Sequence, residues 1–459
     1  MSGFMRQVAS GNNRFLLRIA TIAAIGGFLF GYDTGVIGGA LLYIKHDLDA
    51  NSNLDQQAIV SSLLIGAVIG ALLAGRLAGM AGRRRTIIAA GWLYLVGAVG
   101  SALAQGVWQL VAARVILGLA VGAASFVSPM YIAETAPRRI RGGTVTFNQL
   151  MLTMGILTAY LANWGLKGLP DNWRWMLGLA GAPGLALAIG MLFVPPSPRW
   201  LVERERTDDA RRVLQRIEGT KDVDDELHDI ERATAGRARH RELLSPAVRP
   251  MLVVGVGLAA FQQLVGINTI IYYAPTILSF TGITAGSALT KAVFIGVTNV
   301  AFTLVAIVLL DRVGRRPLLL VGTSGLVGAL VVLGVFFRSD WLQQHAPEAA
   351  LGALLLYIAS FAVGLGPIFW LMISEIYPLS VRGPAESVAA VVNWGTNVIV
   401  SFTFLTLVGA LTASGAFWLY AGIGVVAIGF IVARVPETRG RSLEEIQRQV
   451  GVKPHRGAR

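Results

Sequence analysis

Residues 134–142 read ETAPRRIRG, and residues 375–383 read EIYPLSVRG. Glutamate, proline, arginine and glycine recur at one spacing of 241 residues (134 to 375, 137 to 378, 141 to 382, 142 to 383). Val194-Pro195 and Val435-Pro436 keep that spacing, and the GRR at 82–84 returns at 314–316, 232 residues on. A chain of 459 residues that repeats itself in this way is built from two related halves.

The chain around these motifs is apolar. It is 54% hydrophobic and 14% charged, whereas soluble proteins carry about 25% charged residues. Long uncharged runs predict an all-α membrane protein with twelve transmembrane helices, six to each half. The predicted spans are 15–44, 57–80, 85–105, 107–133, 141–165, 174–195, 249–281, 288–311, 316–338, 351–379, 382–411 and 414–435. The first span is too long for a signal peptide and shows no convincing small-residue cleavage site, so it reads as a permanent helix. The predicted domains are an N-terminal half at 1–196, a linker at 197–248, a C-terminal half at 249–435 and a tail at 436–459.

The net charge of +13 invites a nucleic-acid reading. The basic residues cluster instead in alternate loops: Arg83, Arg84 and Arg85; Arg138, Arg139 and Arg141; Arg312, Arg315 and Arg316. The intervening loops hold few, namely Lys45, Lys167, Lys291 and Arg338. This positive-inside pattern predicts both termini in the cytoplasm of a plasma or bacterial inner membrane, with the bilayer and not nucleic acid as partner. Cysteine is absent, which excludes disulfides and thiolate metal sites. The linker is rich in mixed charge, as in DDARRVLQRIEGT, and Ala210, Val213, Leu214 and Ile217 follow helical spacing. Short surface helices are expected there.

Within the first span, residues 28–39 read FLFGYDTGVIGG. Asp33 is the one formal charge between Ile19 and Ile44. An acid at that depth costs a few kcal/mol and needs a partner or a proton. Arg114, in AARVILG, has no charged neighbour from Thr86 to Ala113 or from Val115 to Ala133. Counted from Arg18 and from Glu134, the two lie about 22 Å and about 30 Å into their helices, so they can meet. Burial disfavours the charged carboxylate and a nearby arginine favours it. A pair that opened and closed would take a proton on one side and release it on the other.

The chain resembles the sugar porters of the major facilitator superfamily over nearly its full length. The stretches that carry the resemblance are GYDTGVIGG, AARVILG, YIAETAPRRIRG, PSPRWL, FQQLVGINTIIYYAPTI, DRVGRRPLL, SEIYPLSVRG and PETRGRSLEEI, in family order. The resemblance implies a major facilitator fold and proton-coupled transport, with Asp33 and Arg114 as the coupling pair and the proton as coupling ion in place of any cofactor. Facilitative glucose carriers resemble the chain elsewhere but lack the acid.

A sugar presents hydroxyls that donate and accept, and neutral amides match both roles. The seventh span supplies Gln262, Gln263 and Asn268. On an ideal helix Gln262 and Asn268 point about 120° apart, and Gly266 could loosen the helix so that they converge. By family motif, Gln149, Asn299, Trp370, Asn393, Trp394 and Asn397 join the substrate site. Asn393 and Asn397 share one helix face, and Trp370 offers a ring face and an N–H. Tyr272 and Tyr273 are placed by resemblance at the extracellular gate, and Tyr273 would share the face of Gln262 on an unbroken helix.

The resemblance also implies a cytoplasmic latch made of Arg83, Arg84, Glu134, Arg141, Asp311, Arg315, Arg316, Glu375 and Arg382. Two positions depart from it. Gly79 replaces the family's loop aspartate in GRLAGMAGRR, and Pro196 replaces the glutamate of the P-E-S-P-R motif. A weakened latch would tilt the substrate-free carrier inward. The expected function is proton-coupled symport of a hexose, a pentose or myo-inositol by a monomer. A uniporter on the same fold and a sugar-sensing receptor are the alternatives, the latter disfavoured by a tail of about 24 residues. With five histidines and no nucleophile–base motif, no enzyme is expected.

Overall fold

A computed structural model describes residues 13–135, 141–220, 222–235, 243–246, 248–378, 381–439, 441 and 445. The described chain is helical and contains no strand. It divides into two compact units, 1–237 and 238–459. The linker helices therefore belong to the first unit.

In the first unit, α1 (Asn13–Asp47), α2 (Asn53–Ala81), α3 (Arg83–Ala102), α4 (Val107–Thr135) and α5 (Arg141–Leu166) are long and unbroken. The sixth span is α6 (Asn172–Leu179) and α7 (Gly181–Gly190) with a 3-10 turn at Met191–Phe193. Helix α1 packs on α5, and α2 packs on α4. Glycine explains both contacts, because small residues let helix backbones approach closely where no hydrophobic effect drives association. Gly27, Gly31, Gly35 and Gly39 recur every fourth residue on one face of α1. A Cβ on Gly31 would lie 1.9 Å from the Leu152 carbonyl oxygen, and one on Gly35 would lie 2.8 Å from that of Ile156. The α2–α4 seam repeats the device with Gly66, Gly70, Gly118 and Gly122.

Three short helices follow: α8 (Pro198–Glu203), α9 (Thr207–Glu218) and α10 (Asp224–Ala235). Leu201, Ala210, Leu214, Val223 and Leu227 form their common core, with Val213 packed at its edge. Ser197 caps α8, its hydroxyl accepting from the Trp200 amide.

The second unit is more interrupted. The seventh span breaks into α11 (Arg249–Leu264), α12 (Ile267–Tyr272) and α13 (Ala274–Ser279). Helices α14 (Ala285–Val313) and α15 (Arg315–Arg338) are continuous, and α16 (Asp340–His345) is a short surface turn. The tenth span, expected as one helix over 351–379, is two: α17 (Glu348–Val363) and α18 (Leu365–Ile376). The break falls at Gly364. Gly322 of α15 packs against it, leaving no room for a side chain on either residue.

Helix α19 (Arg382–Arg434) runs for 53 residues but is interrupted at Thr412, at φ 65, ψ 166. It therefore makes the last two predicted spans. Among the described residues, ten helices are long and apolar enough to cross a membrane. Dividing α19 at Thr412 and adding α5, whose apolar character is diluted by Asn148, Gln149 and Asn163, gives twelve membrane segments.

Gly31→Ala is expected to destabilise the protein by about 1–3 kcal/mol or more, the usual cost of overpacking a tight contact. Gly79→Ala, where an added Cβ meets nothing within 4 Å, is expected to be neutral or slightly stabilising. Denaturant unfolding in detergent distinguishes them.

Candidate functional site

The first unit holds a buried ion pair. Asp33 of α1 and Arg114 of α4 are each 1% exposed. Arg114 donates from both terminal nitrogens, to Oδ2 at 3.2 Å and to Oδ1 at 3.4 Å. Its Nε donates to the Ile59 carbonyl of α2 at 2.7 Å. The planar fork thus spans three helices, a geometry that a lysine could not reproduce. Tyr94 and Tyr32 wall the site on α3 and α1, their hydroxyls donating to the Leu29 and Met176 carbonyls. Deep burial with the charge neutralised only by its partner makes the pair sensitive to any separation of α1 from α4.

The second unit holds an amide cluster. Gly266 takes φ +88 and ends the regular course of α11, so α12 starts on a new path. Asn268 then reaches back across the break and donates from Nδ2 to Gln263 Oε1 at 2.8 Å. Gln263 Nε2 donates to Asn393 Oδ1 at 3.2 Å, and Asn393 Nδ2 donates to Gln262 Oε1 at 2.7 Å. Asn393 also donates to the Ala259 carbonyl, and Gln262 Nε2 to the Leu365 and Gly366 carbonyls. Four amides from three helices of two spans form one connected network inside an apolar unit, and Asn268 is its half-buried end.

Several expected site residues stand outside this network. Asn299 is buried on α14 and Gln149 is half-buried on α5 of the other unit. Trp370 lies on α18 and is 39% exposed, and Trp394 is buried beside Asn393. Asn397 accepts from Ser401 Oγ at 3.0 Å, one turn further along α19. The break at Gly266, between Gln262 and Tyr273, overturns the shared-face argument for that tyrosine. Tyr273 instead sits at the second break, its ring 5.1 Å from that of Phe404, and Tyr272 is buried beside it.

The repeated arginines form matching triads. Arg83 pairs with Glu134 at 2.9 Å, and Ser197 Oγ donates to the same carboxylate at 2.5 Å. Arg315 pairs with Glu375 at 2.9 Å, and Thr438 Oγ1 donates to it at 2.5 Å. Ser197 and Thr438 keep the 241-residue spacing of the repeat. Each triad ties helices of its own unit. Glu203 adds a second ion pair to Arg83, at 2.8 Å. Glu437 plays another part in its unit: it accepts from the Arg315 and Arg316 amides, capping α15. Burial opposes its charge, but the backbone N–H groups of Arg439, Arg315, Arg316 and Thr438 outweigh burial and hold its carboxyl below the usual carboxylate range.

The remaining basic residues bind carbonyls at helix ends: Arg84 at Met191 and Leu192, Arg316 at Val432, Arg382 at Tyr377. The side chains of Arg141 and Asp311 lie outside the described residues. Sequence reasoning missed Glu203, Glu437, Ser197 and Thr438. The spacing that revealed the glutamates also aligns the two hydroxyls, so that signal was present.

Two helical units, apolar surfaces, a buried ion pair and a buried amide cluster define a polytopic membrane transporter. Residues 19–450 match the family described as Sugar (and other) transporter. The chain is 40% identical over 446 residues to a D-xylose transporter of Levilactobacillus brevis, with 96% of each chain covered. It is 38% identical over 448 residues to the galactose-proton symporter of Escherichia coli K12, covering 96% of this chain and 95% of that one. The solved xylose transporter from E. coli, in a partially occluded inward open conformation, matches with a TM-score of 0.83 at 33% identity, covering 94% of this chain and 100% of that one. The chain belongs to the sugar transporter family of the major facilitator superfamily. It is a membrane transporter and not an enzyme.

Gln263→Ala strands Asn268 and Asn393, both of which bond to the lost amide. Binding of the transported sugar is expected to weaken by about 1–3 kcal/mol, measured by calorimetry on the purified carrier.

Proposed function

We propose that this protein is a proton-coupled symporter of a monosaccharide or polyol that works by alternating access. The observation that carries this reading is the Asp33–Arg114 pair, a carboxylate and a guanidinium with 1% exposure each. Such a pair is costly to bury and fully compensated only while it stays closed. An opening that lets Asp33 accept a proton converts the pair into a switch, and reclosing against Arg114 expels the proton. The proton is the coupling ion, and no other cofactor takes part. The amide cluster around Gln263 and Asn268 supplies both donors and acceptors to sugar hydroxyls, with Trp370 as an apolar face and Tyr272 and Tyr273 at the gate. The carrier acts as a monomer in a plasma or bacterial inner membrane with both termini cytoplasmic, since the arginine clusters alternate with sparsely charged loops.

The energetics are sufficient. One charge across 100 mV supplies about 2.3 kcal/mol, and one pH unit about 1.36 kcal/mol. Together they support roughly 500-fold accumulation, at about 1.4 kcal/mol per factor of ten. Asp33→Asn is expected to abolish uphill uptake into proteoliposomes under a pH gradient while sugar binding and downhill exchange persist. Accumulation equal to that of the parent would make the carrier a uniporter with Asp33 as a strut.

The departure at Gly79 bears on the resting state. Its carbonyl accepts from Trp200 Nε1 at 3.0 Å and from Arg204 at 3.1 Å, and an added Cβ would meet nothing within 4 Å. Restoring an acid is worth about 1–2 kcal/mol, a five- to thirty-fold shift in a two-state balance. Gly79→Asp is expected to move the sugar-free carrier outward. A single cysteine in the cytoplasmic vestibule reports this without background, because the chain has none of its own; equal labelling in parent and variant would remove Gly79 from the conformational balance.

A further inference from the structure

The two broken spans of the second unit are stitched to each other at their breaks. The seventh span breaks after Val265, and the tenth breaks at Gly364. Gln262, one turn before the first break, donates to the Leu365 and Gly366 carbonyls just past the second, at 2.9 and 3.2 Å. Tyr357, two turns before the second break, donates from its hydroxyl to the Val265 carbonyl at the first, at 2.9 Å. Tyr357 is fully buried, at 0% exposure. Each span thus sends a side chain to a backbone oxygen at the other's break: Tyr357 to the carbonyl left at the end of α11, and Gln262 to the first two carbonyls of α18. Behind Gly266 lies the ring of Tyr420, 3.1 Å from where a Cβ would stand, so the bend is bounded on that side as well.

We propose that Tyr357 is a positioning residue for the sugar site. By holding the Val265 carbonyl it fixes the angle at which α12 leaves α11, and that angle is what brings Asn268 within 2.8 Å of Gln263. The reciprocal bond from Gln262 makes the two bends one mechanical element. A sugar that draws on the Gln262–Gln263–Asn393–Asn268 network therefore acts on the tenth span at the same moment as on the seventh. Neither the ion pair nor any sugar hydroxyl need touch Tyr357 for this to hold. The inference rests on the sugar-site reading given above.

The test is Tyr357→Phe, which keeps the buried ring and removes only the donor. With D-xylose, D-galactose, D-glucose and myo-inositol as probes, affinity for whichever the parent binds is expected to fall about tenfold, one hydrogen bond's worth. In an Asn268→Ala background the same change is expected to cause no further loss, because its effect passes through Asn268. Unchanged affinity, or a full additional loss in the second background, overturns the proposal. A sugar-free measurement stands beside it. Hydrogen–deuterium exchange over residues 267–273 is expected to quicken about tenfold in Tyr357→Phe, with 249–261 unchanged as the control for folding. Unchanged exchange over 267–273 also overturns the proposal. If the parent binds none of the four probes, the sugar-site reading fails by itself, and exchange alone decides whether Tyr357 sets the bend.

Discussion

A backbone carbonyl released inside a membrane has no water to accept from, and this constraint organises the whole protein. At several points in both units a polar side chain of a neighbouring helix donates to a backbone carbonyl. Asn163 donates to the Gly35 and Val36 carbonyls, Arg114 to that of Ile59, Asn393 to that of Ala259 and Ser414 to that of Gly334. Gln262 and Tyr357 do the same at the two breaks of the second unit. The polar groups that mark the candidate site are therefore also its struts, and the cost of a substitution there falls on geometry as well as on contacts.

The two units answer the constraint differently although their sequences repeat. The first packs long continuous helices through glycine faces and holds the Asp33–Arg114 pair between them. The second interrupts its helices at Gly266, Gly364 and Thr412 and fills the interior with neutral amides. What the repeat preserves is the arginine–glutamate–hydroxyl triad at one end of each unit. There the guanidinium anchors the start of a helix to the end of another, and the hydroxyl after the conserved Val-Pro step satisfies the carboxylate's second oxygen.

Much of this was legible in the sequence because bilayer thickness and charge placement leave few alternatives. The twelve segments, the division at 411–414 and the pairing of Asp33 with Arg114 follow from uncharged runs and from the isolation of those two charges. The convergence of the seventh-span amides was legible in part: Gly266 signalled the break, but the partner of Asn268 is Gln263 and not Gln262. The break at Gly364 was not legible, since FAVGLGP reads as an apolar helix and only the backbone of Gly322 against it shows why glycine is needed. Tyr357 left a faint trace, the one phenol in the run LLLYIASF, whose hydroxyl a buried tyrosine must satisfy. Its acceptor lies 92 residues away in sequence and exists only once the chain has broken at Gly266.

The separation of the ion pair and the amide cluster into different compact units has a consequence for descent. Substitutions that re-shape the amide cluster fall within 249–435 and leave the neighbours of Asp33 untouched. Those that alter the ion pair's surroundings fall within the first unit's helices, 13–190. On the proposed function, cargo and energy source are inherited as separate traits. A lineage can exchange one sugar for another by drift in the second unit while the proton machinery is kept intact. Loss of the acid in the first unit yields an uncoupled carrier whose cargo preference is already in place.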